Sequence, residues 1–142
     1  MVLLSVFALL RCAGLLGVAV LNNRDTPLRF ALAVMFLLTA SAHWGRGHPG
    51  LVRMVPPQFP SPGAIITITG ILEILGALGL MLPPTARAAA LCLAILLAAM
   101  FPANLRAARE RLPVLGKPAM GAAKRGALQL LFLAALLAVA VE

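Results

Sequence analysis

The run from Ala64 to Leu82 contains a single charged side chain, Glu73. About 20 consecutive apolar residues in a helix cross the ~30 Å hydrocarbon core of a bilayer. A carboxylate at the centre of such a helix costs roughly 2.5–3.5 kcal/mol on insertion scales. Lipid offers no partner to backbone polar groups, so a run of this kind must be helical if it spans. Glu73 must then face something other than lipid.

The rest of the chain has the same character. Of its 142 residues 62% are hydrophobic and only 11% are charged, with a mean hydropathy of +1.02. Soluble domains are nearer half apolar and a quarter charged. The apolar runs are continuous, not alternating, which argues against a β-barrel. The expected class is all-α: an integral membrane four-helix bundle with an additional N-terminal apolar helix, in one domain spanning 1–142. The net charge of +8 does not point to nucleic acid. The arginines lie mainly between or beside the apolar runs, where topology and an anionic lipid surface account for them. Cys12 and Cys92 sit in separate apolar runs and no C-x-x-C occurs, which disfavours thiol redox chemistry.

Five apolar segments follow one another. The first runs from about Val2 to Leu21 with Arg11 at its centre. It lacks the basic start and small-residue cleavage site of a signal peptide. It either spans with Arg11 facing the bundle or lies at the interface with Arg11 snorkelling. Residues 1–26 are therefore an extra segment before a core over 27–142. The second segment runs from Pro27 to about Trp44, with Thr26 as N-cap and Pro27 at N1. The third covers about Gly63 to Leu82 and the fourth about Ala86 to Asn104. The fifth runs from about Ala123 to Val141. The link from Gly45 to Pro62 holds five prolines, so it is expected as a short amphipathic turn followed by an extended cover over the bundle mouth. The link from Leu105 to Gly126 is basic and partly helical.

Counting Lys and Arg by side gives eight on one (Arg46, Arg53, Arg106, Arg109, Arg111, Lys117, Lys124 and Arg125) against three on the other (Arg24, Arg29 and Arg87). The side with eight is expected in the cytoplasm and the C-terminus outside, in a multi-pass protein of a bacterial inner membrane.

At 100° per residue, Thr69, Gly70, Gly76, Ala77 and Leu80 fall within about 60° of Glu73. Ile68, Ile71, Leu72, Leu75, Leu78 and Leu82 lie on the opposite side and should meet lipid. Glu73 should point inward, about 15 Å deep. Ala86, Ala90, Ala94 and Ala98 form a stripe that would let another helix approach closely. Three more polar side chains stand at segment ends: His43, Asn104 and Gln129, the last one turn after Arg125. With Glu73, each of four successive helices supplies one. They are expected to form a ligand-binding pocket with Glu73 at its floor, supported by Thr69, Gly70, Gly76 and Arg125. Each also has a bland reading: an interfacial histidine, a helix cap, interhelical glue, a protonated carboxyl bonded to a neighbour.

The same residues carry a resemblance. His43-Trp44, then Met54-Val55-Pro56-Pro57-Gln58-Phe59-Pro60-Ser61-Pro62, resembles the "H-F…(I/V)-P-x-x-(L/F)-P-x-P" stretch of the DoxX-like membrane proteins. Thr69-Gly70-Ile71-Leu72-Glu73-Ile74-Leu75-Gly76 is similar to their "S-G-x-x-E-x-x-G" helix. Phe101-Pro102-Ala103-Asn104-Leu105 resembles "F-P-A-N-(I/L)", and Arg125-Gly126-Ala127-Leu128-Gln129 resembles "R-x-P-x-Q". The resemblance covers about Arg29 to Val141. Trp44 stands where the family usually has phenylalanine, and the segment before Arg29 lies outside the pattern. The resemblance implies a four-helix membrane bundle. The family takes its name from a subunit of a quinone-reducing thiosulfate oxidation system.

Two functions fit. In one, the chain is a redox-associated subunit whose pocket binds quinone or which supports a partner oxidoreductase. His43, Asn104 and Gln129 would bond a quinone carbonyl, and Glu73 would relay a proton. In the other it is a non-enzymatic assembly factor or small-ligand carrier. No nucleophile–base pair, second buried acid, metal-ligand set or inverted repeat is recognisable. The chain therefore reads as no enzyme by itself, with quinone the one cofactor in view and no metal.

Overall fold

The computed structural model describes residues 25–114, 117–118 and 121–141. The expectations for Val2–Leu21 and Arg11 lie outside them. Among the described residues the regular elements are helices apart from one short pairing. Helix α1 is Asp25–Ser41 and α2 is His48–Met54. Helix α3 is Pro62–Met81, α4 is Ala86–Ala99 and α5 is Phe101–Arg109, with α6 over Ala122–Val141. Between α5 and α6, Pro113–Val114 (β1) pairs antiparallel with Lys117–Pro118 (β2). Three stretches are long and apolar enough to cross a membrane: Pro62–Met81, Ala86–Arg109 and Ala123–Val141. Thr26–Ser41 and Gly45–Met54 would add a fourth if the pair, bent by 68°, forms one span.

Local sequence explains the breaks, and three boundaries differ from expectation. Thr26 and Pro27 lie inside α1, not at its cap and N1. Proline is tolerated there because first-turn N–H groups have no helical partner. Helix α1 stops at Ser41, so His43 follows the helix and does not end it. The chain then turns through Gly45, whose φ of +67° suits a residue without Cβ. Asn104 is not a helix end either. Pro102 has no N–H to offer, so the helix is interrupted at Met100, and Pro102 then opens α5 with Asn104 inside it.

Helix α3 packs on α1 and α4, while α6 packs mainly on α4 and more thinly on α1. The outward face of α3 is as expected: Ile68, Ile71, Leu72, Leu75, Leu78 and Leu82 are all exposed, and Gly70, Glu73, Ala77 and Leu80 are buried. In the alanine stripe, Ala86, Ala90 and Ala94 are buried and Ala98 is exposed.

Each end is tied by an arginine. Arg29 Nε donates to Leu80 O at 2.8 Å, satisfying a carbonyl in the last turn of α3. At the other end an Arg106 guanidinium N–H donates to Val55 O at 2.7 Å and pins the proline-rich link. Toward the Arg29 end lie four clustered leucines, Leu32, Leu80, Leu93 and Leu136, one from each long helix and all with 0–1% exposure. Leu32, Leu80 and Leu136 each stand two turns, about 10 Å, from Thr39, Glu73 and Gln129 on their own helices.

Candidate ligand pocket

Beyond these leucines, toward the other end, the helices and their links line a half-open cavity of about 300 Å³. Its walls are mostly apolar, from Met35, Phe36, Leu51, Leu97, Met100, Leu128 and Phe132. Its polar lining is Thr39, His43, Glu73, Asn104, Arg125 and Gln129. Volume and composition match a small-molecule site, where few polar groups are set in an apolar wall.

The polar groups form two clusters. The first joins α1, the turn after it and α3. Glu73 is 4% exposed and His43 3%. Thr39 Oγ1 lies 3.0 Å from Glu73 Oε2 and 2.9 Å from the carbonyl of Phe36. Its one proton serves one acceptor at a time. His43 Nδ1 is 3.3 Å from Thr39 O and 3.9 Å from Glu73 Oε2. Gly70 sets this geometry, because a Cβ there would stand 2.7 Å from His43 Cβ and 2.9 Å from the Trp44 ring.

The second cluster joins α6, α5 and α4. An Arg125 guanidinium N–H donates to Asn104 Oδ1 at 3.0 Å. Asn104 Nδ2 donates to Gln129 Oε1 at 3.3 Å. Gln129 Nε2 donates to Leu97 O at 2.7 Å, in the last turn of α4. The chain is directional, from a cation to a backbone carbonyl. Two nitrogens are left over: His43 Nε2 and Arg125 Nε are buried without a hydrogen-bond partner.

All four expected pocket residues, His43, Glu73, Asn104 and Gln129, thus line one cavity, and so does Arg125. Gly70 contributes by close packing. Thr69 and Gly76 do not reach the cavity. Thr69 donates its hydroxyl to Ile66 O within α3. Gly76 faces the Leu93 side chain between α3 and α4. Thr39 was missed, although it is the polar residue of α1 nearest in sequence to His43 after Ser41 and its carbonyl meets the His43 ring. Among the described residues, no group of three or more His, Cys, Asp or Glu could hold a metal ion.

No curated protein and no solved structure matches the chain. Residues 32–141 match a family described as a domain of unknown function, DUF8561. That stretch includes every residue of the cavity lining and most of the described chain. The chain belongs to the DUF8561 family.

Proposed function

We propose that this protein is a multi-pass membrane module whose four long helices form a bundle around a ligand pocket, and that the pocket takes a quinone head group. The observation that carries this reading is one cavity of about 300 Å³ into which six polar side chains, Thr39, His43, Glu73, Asn104, Arg125 and Gln129, converge through otherwise apolar walls. A quinone has a flat apolar ring with oxygens at opposite edges. The two polar clusters suit those oxygens, and the apolar lining suits the ring. The resemblance to DoxX-like proteins supplies a redox setting. The chain has no redox group of its own among its side chains, so it would serve a partner oxidoreductase.

The test is gentle purification in detergent followed by mass spectrometry of extracted small molecules. Quinone should accompany the unaltered protein and fall at least about tenfold in Glu73→Gln. A protein that leaves quinone-rich membranes empty, yet holds a stable protein partner, would replace this reading with that of an assembly module.

Orientation follows from charge. Arg46, Arg53, Arg106, Arg109, Arg111 and Lys124 flank the pocket end of the helices, whereas Arg29 and Arg87 lie at the leucine end. The pocket end then faces the cytoplasm of a bacterial inner membrane. A reporter fused after Glu142 should read outside; a cytoplasmic signal would reverse the orientation.

A further inference from the structure

The two unpartnered nitrogens differ in what they ask of a ligand, and the difference bears on its oxidation state. This step rests on the quinone reading. His43 Nδ1 faces two oxygens, the carbonyl of Thr39 at 3.3 Å and Glu73 Oε2 at 3.9 Å. A backbone carbonyl only accepts, so Nδ1 carries the ring proton. In the neutral imidazole Nε2 then presents a bare lone pair. That atom is buried and unpartnered, and the close fit of His43 Cβ and Cγ against Gly70 fixes where the side chain leaves the backbone. Nε2 therefore asks for a donor. Arg125 Nε asks for an acceptor, since a guanidinium has no lone pair to offer.

A quinone offers carbonyl oxygens, which only accept. It can satisfy Arg125 but leaves His43 Nε2 unpaired, lone pair against lone pair. The reduced form carries hydroxyls, each of which both donates and accepts. A quinol can give its proton to His43 Nε2 at one edge and accept from Arg125 Nε at the other. We infer that the pocket selects the hydroxyl-bearing, reduced form, a membrane quinol, with His43 as the residue that discriminates and Arg125 as one that binds either form.

The test measures affinity of the full-length protein in detergent for three probes. They are a decyl-tailed dimethoxy-methyl-benzoquinone, the quinol made from it by reduction, and the quinol's bis-methyl ether, which keeps the ring and tail but has no hydroxyl to donate. Binding can be followed through Trp44, the only tryptophan in the chain, whose ring centroid is 6.1 Å from that of His43. The quinol should bind at least about tenfold more tightly than both others, because each of those leaves a buried acceptor unpaired. A tenfold preference raises the potential of the bound couple by ~30 mV. His43→Phe should abolish the difference; if that variant does not fold, the quinone–quinol comparison on the unaltered protein decides. Equal affinities, or a preference for quinone, overturn the inference and leave the quinone reading standing. Failure of all three probes to bind overturns both.

Discussion

Gly70→Ala should lower the thermal stability of the protein in detergent and abolish ligand binding together. The added methyl would stand 2.7 Å from His43 Cβ, 2.8 Å from His43 Cγ and 2.9 Å from the Trp44 ring. Overpacking of this kind costs about 1–3 kcal/mol. Relief requires α1 and the turn after it to move off α3, and that movement takes His43 out of the cavity. Gly76→Ala is the informative contrast. There the nearest contacts of the methyl are all with the Leu93 side chain, at 2.5 Å from Cδ2 and Cγ. Leu93 can be shortened, so Gly76→Ala with Leu93→Ala should lose less stability than the two single changes added together. Gly70 has no such partner, because every residue but glycine at 43 keeps the offending Cβ. Thermal unfolding of the four variants, with ligand retention as a second readout, checks both statements. Unchanged stability and binding in Gly70→Ala would show that the α1–α3 contact is loose.

Glu73→Leu should separate function from stability. If Glu73 were a lock on the helices, its removal would loosen them. The geometry argues otherwise. Thr39 keeps the carbonyl of Phe36 as an acceptor at 2.9 Å. His43 Nδ1 keeps the carbonyl of Thr39 at 3.3 Å. No neighbour is orphaned when the carboxyl goes, and orphaned buried groups are what make such deletions severe. If α3 spans a membrane as proposed, replacing the acid with leucine also removes an insertion penalty of roughly 3 kcal/mol. The unfolding temperature should be equal or higher while bound ligand is lost. A large fall in stability would make Glu73 a structural residue and end the case for a site built around it.

The sequence carried most of the site but not its wiring. The two faces of α3 were legible because helical periodicity separates them: large aliphatics such as Ile68 and Leu75 are exposed, while Gly70 and Ala77 are buried. Glu73 was legible because a lone acid in an apolar helix has few places to go. Asn104 was recognised as a polar contributor but wrongly placed at a helix end. Pro102 stops a helix and also starts one, and only the second role sets Asn104 inside α5. Thr39 escaped notice because threonine is unremarkable in an apolar helix until its partner is known. The bonds from Arg29 to Leu80 and from Arg106 to Val55 each join residues 51 apart in sequence. Periodicity says nothing about contacts of that range. The two unpartnered nitrogens were illegible for the same reason, since an unmet hydrogen bond is a property of an assembled wall.

The four leucines beneath the polar residues have a consequence for transport. Leu32, Leu80, Leu93 and Leu136 are fully enclosed and belong to one cluster. Ions and protons crossing such a layer would have to shed their water with nothing polar to replace it. The cavity is accordingly a cup and not a pipe. In the membrane orientation proposed above, whatever enters it would leave by the side from which it came, and chemistry at Glu73 would be in protonic contact with one face of the membrane alone.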